Sequence, residues 1–204
     1  MTDYYGKTKF TPMIKAIIFD CFGVIRIDAF DAAYQRYGGD VVKDHEFIMQ
    51  TLYNSNSGLI SSSAEVVAER LGITAEEWRR AIDEGSTLNQ DVLDYALELR
   101  KNYKIAMLSN IGKGGLERMF EPGLLDVYFD LAVGSGDIGY AKPEAQAYEY
   151  IADKLQVRLD ECIFIDDRQE YVYGARAIGM QAILFMSYNQ IKINLSEIIL
   201  NYGK

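Results

Sequence analysis

Five short apolar runs, residues 15–19, 104–108, 131–133, 162–165 and 182–185, recur along the chain, and helical patterns separate most of them. A run with no polar face must be covered on both sides. Helices that cross over between parallel strands supply both covers. The alternation therefore predicts βαβ units and an α/β fold built on a mostly parallel sheet. One crossover helix is expected from residue 143 to about 155. Pro143 suits its first position, and Tyr148, Ile151, Ala152 and Leu155 form the stripe that faces the sheet. A second helix is expected after Asp167, with Val172, Ala175 and Ile178 inward and Gly179 at its end.

The stretch between Val24 and Tyr103 carries helical patterning and no comparable strand. Helices are expected over 30–37, 44–53, 63–71, 74–84 and 89–102, with 54–58 (Asn-Ser-Asn-Ser-Gly) as a loop. Thr74 and Glu77 have capping-box spacing, and Ser62, Ser63 and Asn89 are N-cap candidates. At 204 residues the chain exceeds the usual single-domain size, and a core with a helical insert fits better than two equal domains. The expected division is a core of 1–26 and 99–204 and a helical cap of 27–98.

Composition narrows the function classes. Hydrophobic residues make up 49% and charged residues 25% of the chain, as in globular proteins, and no apolar run approaches the ~20 residues of a membrane span. The polar residues 1–13 lack the apolar core of a signal peptide, so a cytoplasmic protein is expected. Cys21 and Cys162 are expected as free thiols in a reducing compartment. A net charge of −9 opposes binding to nucleic acid, and the 15 tyrosines are scattered with no basic patch beside them. A single histidine, His45, rules out a Ser-His-Asp triad and a His-rich metal site; it reads as a solvated helix residue. Cys21 has no histidine to activate it and reads as a buried structural thiol. Trp78 is assigned to packing within the insert or at a dimer face, and the chain to a monomer or homodimer.

Polar groups stand at or near the ends of the strand-like runs: Asp20, Ser109 with Asn110, and Asp166 with Asp167, while Lys142 precedes Pro143. In an open α/β sheet, groups beyond the carboxyl ends of parallel strands converge on one crevice. Asp20-Cys21-Phe22-Gly23-Val24, Ser109-Asn110, Lys142-Pro143-Glu144 and Asp166-Asp167, taken in order, resemble the haloacid dehalogenase superfamily. More narrowly, they resemble its branch with a small helical cap after the first strand. The resemblance spans roughly residues 14 to 186.

That resemblance implies a Rossmann-like core with the five strands ordered 5-4-1-2-3, and a phosphoryl-transfer site. Asp20 attacks phosphorus and forms an aspartyl-phosphate. Ser109, Asn110 and Lys142 hold the phosphoryl group, with Lys142 supplying the fixed positive charge. Mg²⁺ is held by Asp20, the backbone carbonyl of Phe22, Asp166 and Asp167, with Asp167 the more direct ligand of the pair. The expected partner is a small phosphorylated metabolite.

Two positions depart from the family pattern. Tyr171 stands where Asp or Asn is usual, at the outer shell of the metal site. Phe22 stands where most family phosphatases place a second Asp, which protonates the leaving oxygen and activates water. Phe cannot move a proton, and general acid–base catalysis is worth roughly 10² to 10⁴ in rate. Three readings follow: a phosphatase for esters with good leaving groups, such as sugar 1-phosphates or acyl phosphates; a phosphate- and metal-binding protein without turnover; or a 2-haloacid dehalogenase. The last is disfavoured by the Asp166-Asp167 pair and by the want of a cap arginine beyond Arg26 and Arg36.

Overall fold

The computed structural model describes residues 13–202, so the polar segment read as carrying no signal peptide lies outside it except for Met13. Its strands are β1 (Ala16–Phe19), β2 (Arg26–Ile27), β3 (Thr87–Leu88), β4 (Lys104–Ser109), β5 (Leu131–Gly134), β6 (Cys162–Asp166) and β7 (Gln181–Leu184). Five of them form one parallel sheet in the order β5-β4-β1-β6-β7. Counted in chain order within that sheet and read from the β7 edge, the strands lie 5-4-1-2-3.

The central strands show why the apolar runs are continuous. Side chains alternate across a strand, so Ile17 and Phe19 of β1, Ile105 and Met107 of β4, and Ile163 and Ile165 of β6 enter one core. Ala16, Ile18, Ala106, Leu108, Cys162 and Phe164 enter the other. Helix Gln90–Leu99 covers the first face with Val92, Leu93, Ala96 and Leu99, joined by Ile191 and Leu195 of helix Tyr188–Tyr202. Helices Ala145–Lys154 and Gln169–Ala177 cover the second, through Ala147, Tyr148, Ile151, Ala152, Val172 and Ala175.

Four helices, Phe30–Arg36, His45–Asn56, Ser63–Leu71 and Ala75–Gly85, form a separate cluster around Tyr34, Ile48, Val67 and Trp78. Trp78 is buried there, with its ring edge-on to both Phe30 and Tyr34. Chain entry and exit are tied together by an antiparallel pairing of β2 with β3, in which Arg26 faces Leu88. Two-residue strands are too short to leave a periodic signal, and none was expected here.

Three local expectations are corrected. Helix Gln90–Leu99 packs on the sheet rather than with the insert, because its apolar stripe faces the first core. Residues 54–56 belong to helix His45–Asn56, although Asn and Ser are weak helix formers; buried Ser55 lies so close to Gly112 that a side chain there would meet its hydroxyl at 2.7 Å. Pro143 precedes its helix instead of opening it. Glu144 is the N-cap, and its N–H donates to the carbonyl of Ala141 at 2.8 Å, closing the turn that carries Lys142.

The capping box forms as expected. The Glu77 N–H donates to Thr74 Oγ1 at 3.2 Å, and the Thr74 N–H donates to Glu77 Oε2 at 2.8 Å. Thr74→Ala removes the first bond and is expected to lower stability by about 1 kcal/mol, read from the midpoint of urea unfolding.

Candidate functional site

Register brings the polar strand ends together. Phe19 pairs with Met107 on one side and Ile165 on the other, so Asp20, Ser109 and Asp166 emerge at one edge of the sheet. The Asp20 N–H donates to the Ile165 carbonyl at 2.8 Å, extending the ladder one residue past the strand. Asp20, Ser109 and Asp166 are all buried.

Lys142 reaches this cluster from its turn with a fully buried side chain. Nζ donates to Asp20 Oδ1 at 2.6 Å and to Asp166 Oδ2 at 2.7 Å. It also lies 5.3 Å from the Phe164 ring and 5.0 Å from the Tyr171 ring. Asn110 fixes the turn from behind. Its side-chain amide donates to the Lys142 carbonyl and accepts from the Lys142 N–H, both at 2.8 Å. That side chain is committed to placing Lys142, which leaves the backbone N–H of Asn110 as its group expected at the phosphoryl oxygens.

Three carboxylates face one ammonium. Burial works against the Lys142 charge, but Asp20 and Asp166 outweigh it and hold the ammonium above its ordinary pKa. Burial pushes the Asp20 carboxyl up to about 7, with Lys142 opposing the rise and Asp166 adding to it. Asp167 is raised for the same reasons, burial first and Asp166 second. The thiol of Cys21, buried beside this charge, is driven well above its usual range and stays protonated.

The acids differ in what remains free. Asp166 accepts Lys142 on Oδ2 and the Arg168 N–H on Oδ1 at 2.8 Å, so both its oxygens are engaged. Asp167 is exposed to the crevice, and no hydrogen bond or ion pair from another described residue reaches its carboxylate. Gly23 makes room for it: at φ +79 its backbone passes so close that a Cβ would stand 2.2 Å from Asp167 Oδ2. Asp20, Asp166 and Asp167 can each turn a carboxylate oxygen to within 4.8 Å of the others. A hard-oxygen set with excess negative charge fits a divalent cation such as Mg²⁺. The buried hydroxyl of Ser109 lies beside the Cys21 thiol and makes no hydrogen bond of normal geometry, so a ligand oxygen would satisfy it.

Phe22 is half-buried. It packs on the first core and borders a cavity of about 480 Å³ between the sheet edge and the four-helix insert. Asp20, Lys142, Asp167 and Tyr171 border it from below, and Phe30, His45 and Trp78 from the insert. His45 is thus both exposed, as expected, and at the crevice. Sequence reasoning missed Gly23, whose only signal was its place three residues after Asp20. It also missed that Phe30 and Trp78 border the crevice: Phe30 carried no reading of its own, and Trp78 was assigned to packing in the insert or at a dimer face.

Comparison with known proteins agrees with this geometry. Residues 14–179 match the family model of the haloacid dehalogenase-like hydrolases, and the chain belongs to that family. A phosphatase of Mycobacterium tuberculosis is 36% identical over 86 residues, covering 42% of this chain and 40% of the relative. The D-ribitol-5-phosphate phosphatase of Bacteroides thetaiotaomicron is 25% identical over 188 residues, 83% of this chain and 90% of the relative. Two longer curated relatives are spanned over only 27% and 11% of their lengths. Among solved structures, a family enzyme of Bacteroides thetaiotaomicron in complex with magnesium and inorganic phosphate superposes with a TM-score of 0.67. It is 19% identical, over 85% of this chain and 94% of that one.

The buried lysine should dominate local stability. Lys142→Met leaves Asp20 and Asp166 without a counter-charge, and a broken buried pair of this kind typically costs about 3–5 kcal/mol. With Lys142 gone, burial favours the protonated form of Asp20 in the fold, so the loss should be smaller at pH 5 than at pH 8. Urea unfolding at the two pH values checks this.

Proposed function

We propose that this chain hydrolyses phosphomonoesters through an aspartyl-phosphate on Asp20, with Mg²⁺ as cofactor. The observation that carries the reading is the asymmetry of Asp20, a residue that borders the crevice: Oδ1 is tied to Lys142, while Oδ2 accepts no hydrogen bond from the described residues. A carboxylate held by one oxygen presents the other in a fixed direction. That orientation is what in-line attack on phosphorus requires.

Lys142, oriented by Asn110, favours the ionised form of Asp20 against the effect of burial and offsets the phosphoryl charge. Ser109 donates its free hydroxyl to a phosphoryl oxygen, and the backbone N–H of Asn110 serves the same oxygens. Asp20, Asp167 and the Phe22 carbonyl would hold Mg²⁺, which when bound neutralises the phosphoryl oxygens. Asp166 stands behind them as the residue that positions Lys142. The four-helix insert acts as a cap that selects the substrate and excludes water.

Phe22 sets the substrate range. With no proton donor at that place, a leaving group must depart as a weak base, so alkyl phosphates should turn over slowly by about 3 to 5 kcal/mol of barrier. The names of the relatives, a ribitol-phosphate phosphatase among them, support a small phosphorylated metabolite as substrate. A dehalogenase is disfavoured because Arg26 is paired with Asp83 at 3.5 Å and Arg36 with Glu84 at 3.3 Å. Free, buried Cys21 and Cys162 support a reducing, cytoplasmic setting. Among the described residues no helix is long and apolar enough to cross a membrane.

Phosphate release measured with and without Mg²⁺, over sugar 1-phosphates, acyl phosphates and sugar esters, tests the reading. Release is expected from the activated phosphates, lost on removing Mg²⁺ and abolished in Asp20→Asn. Phe22→Asp is expected to raise turnover of the ordinary sugar esters, by up to about 10²-fold. No release from any ester, with Mg²⁺ still bound, would move the reading to a non-catalytic binder.

Binding of the ion should also depend on pH. A proton on Asp20, whose carboxyl is pushed up to about 7, competes with the cation. Mg²⁺ affinity is therefore expected to fall as pH drops below 7 and to level off above 8. Titration calorimetry of the wild type in buffers of different ionisation heat should show proton release at pH 6.5 and little at pH 8.5.

A further inference from the structure

We propose that the crevice takes aryl phosphates, binding the aromatic ring of the leaving group between Phe22 and the Phe30–Trp78 pair of the insert. This rests on the reading of Asp20 as the phosphoryl acceptor and names the substrate class for that site.

The 480 Å³ cavity is lined by polar and apolar residues, and its wall under the insert carries an apolar, aromatic patch. Trp78 is only 4% exposed, and Phe22, Phe30, Met49, Leu52 and Ile82 are half-buried around it. Phe30 and Trp78 stand edge to face, 5.2 Å between centroids at 78°, so an aromatic surface is already assembled on the wall. Several charged residues on the exposed rim of the cavity have protein partners. Arg79 pairs with Glu65, Arg168 with Glu170 at 2.7 Å, and Arg118 donates to the Lys113 carbonyl at 2.9 Å. The half-buried Ser62 side chain accepts from the Ala64 N–H, and exposed Asp28 from the Phe30 N–H.

A sugar bound against this patch would place hydroxyls on apolar side chains, and a buried hydroxyl without a partner is unfavourable. An aromatic ring gains by the same burial and packs edge to face or offset with the wall. The chemistry points the same way. Phe22 supplies no proton, and a phenolate departs without one, whereas an alkoxide does not. In the step itself Asp20 Oδ2 forms a bond to phosphorus as the bond from phosphorus to the aryl oxygen breaks, and the electron pair leaves with the phenolate. Water then attacks the phosphorus, the bond to Asp20 breaks, phosphate leaves, and the proton of the water passes to solvent, where the phenolate takes one up. No oxidant, reductant or further reactant is needed. One residue at position 22 thus serves both halves of the proposal, as ring contact and as the missing acid.

The test compares 1-naphthyl phosphate, acetyl phosphate and glucose 1-phosphate on the whole chain with Mg²⁺. Acetyl phosphate has a good leaving group and no apolar bulk, which separates ring binding from leaving-group ability. KM for naphthyl phosphate is expected about tenfold below that for acetyl phosphate, and glucose 1-phosphate should be the poorest of the three. Phe30→Leu keeps the site apolar but removes the ring, and Met49→Gln alters a half-buried wall position. Each is expected to shrink the naphthyl-over-acetyl preference in KM about fivefold. Equal KM values, or a preference for glucose 1-phosphate, would overturn the inference while leaving the phosphatase reading in place. Phosphate release from none of the three would instead sink the phosphatase reading. Calorimetry of Asp20→Asn with naphthyl phosphate and glucose 1-phosphate then decides the ring site: tighter aryl binding, weakened by Phe30→Leu, upholds it, and equal binding overturns it.

Discussion

A single ammonium buried between two carboxylates organises this protein. Lys142 lies 122 positions from Asp20 in the chain and 24 from Asp166, yet it bonds to both with no access to solvent. In a low-dielectric interior none of these three charges is tolerable alone, and each makes the others possible. The turn at residues 141–144, the Asn110 clamp on the Lys142 backbone, and the parallel pairing of β1 with β4 and β6 all keep that ammonium in place. Burial of Asp20 raises its pKa, and Lys142 limits the rise. The chemistry of the site is thus part of the stability of the fold.

The three acids have different degrees of freedom although two are adjacent in sequence. Strand alternation and the end of β6 turn Asp166 inward, where Lys142 and the Arg168 N–H take its oxygens. Asp167 turns outward over Gly23, at a place where only a residue without Cβ fits. Inner acid and outer acid therefore divide the work of positioning a cation of the protein and presenting charge to the crevice. Tyr171, where the family more often has Asp or Asn, lays its ring near the same ammonium. Phe22 adds an apolar surface next to the most polar part of the molecule. Both replacements move the crevice away from a water-rich, acid-lined site.

Much of this was legible beforehand. Residues 104–108 and 162–165 had to be central parallel strands, because runs without a polar face need cover on both sides, and both face the two cores as expected. Thr74 and Glu77 announced a helix start through spacing alone. The failures have equally local causes. Residues 54–56 looked like loop because Asn and Ser favour it, and they stay helical where Ser55 packs against Gly112. The helix at Gln90–Leu99 has a clear apolar stripe, but periodicity does not say which of two cores a stripe faces. Asn110 was visible as a polar residue beyond a strand, and its partner was not, since a backbone contact leaves no trace in residue type.

By itself the sequence determined the sheet, its two covers and the order of the polar groups along it, because these follow from periodicity and from where apolar runs end. Only the tertiary structure decided which oxygen of Asp20 is held and which is open, that Asp166 is engaged while Asp167 is free, and that Phe30 and Trp78 from the insert face the same cavity as Phe22. The physical reason is distance along the chain. Contacts between residues tens of positions apart are set by how separate elements pack, and no local pattern records them.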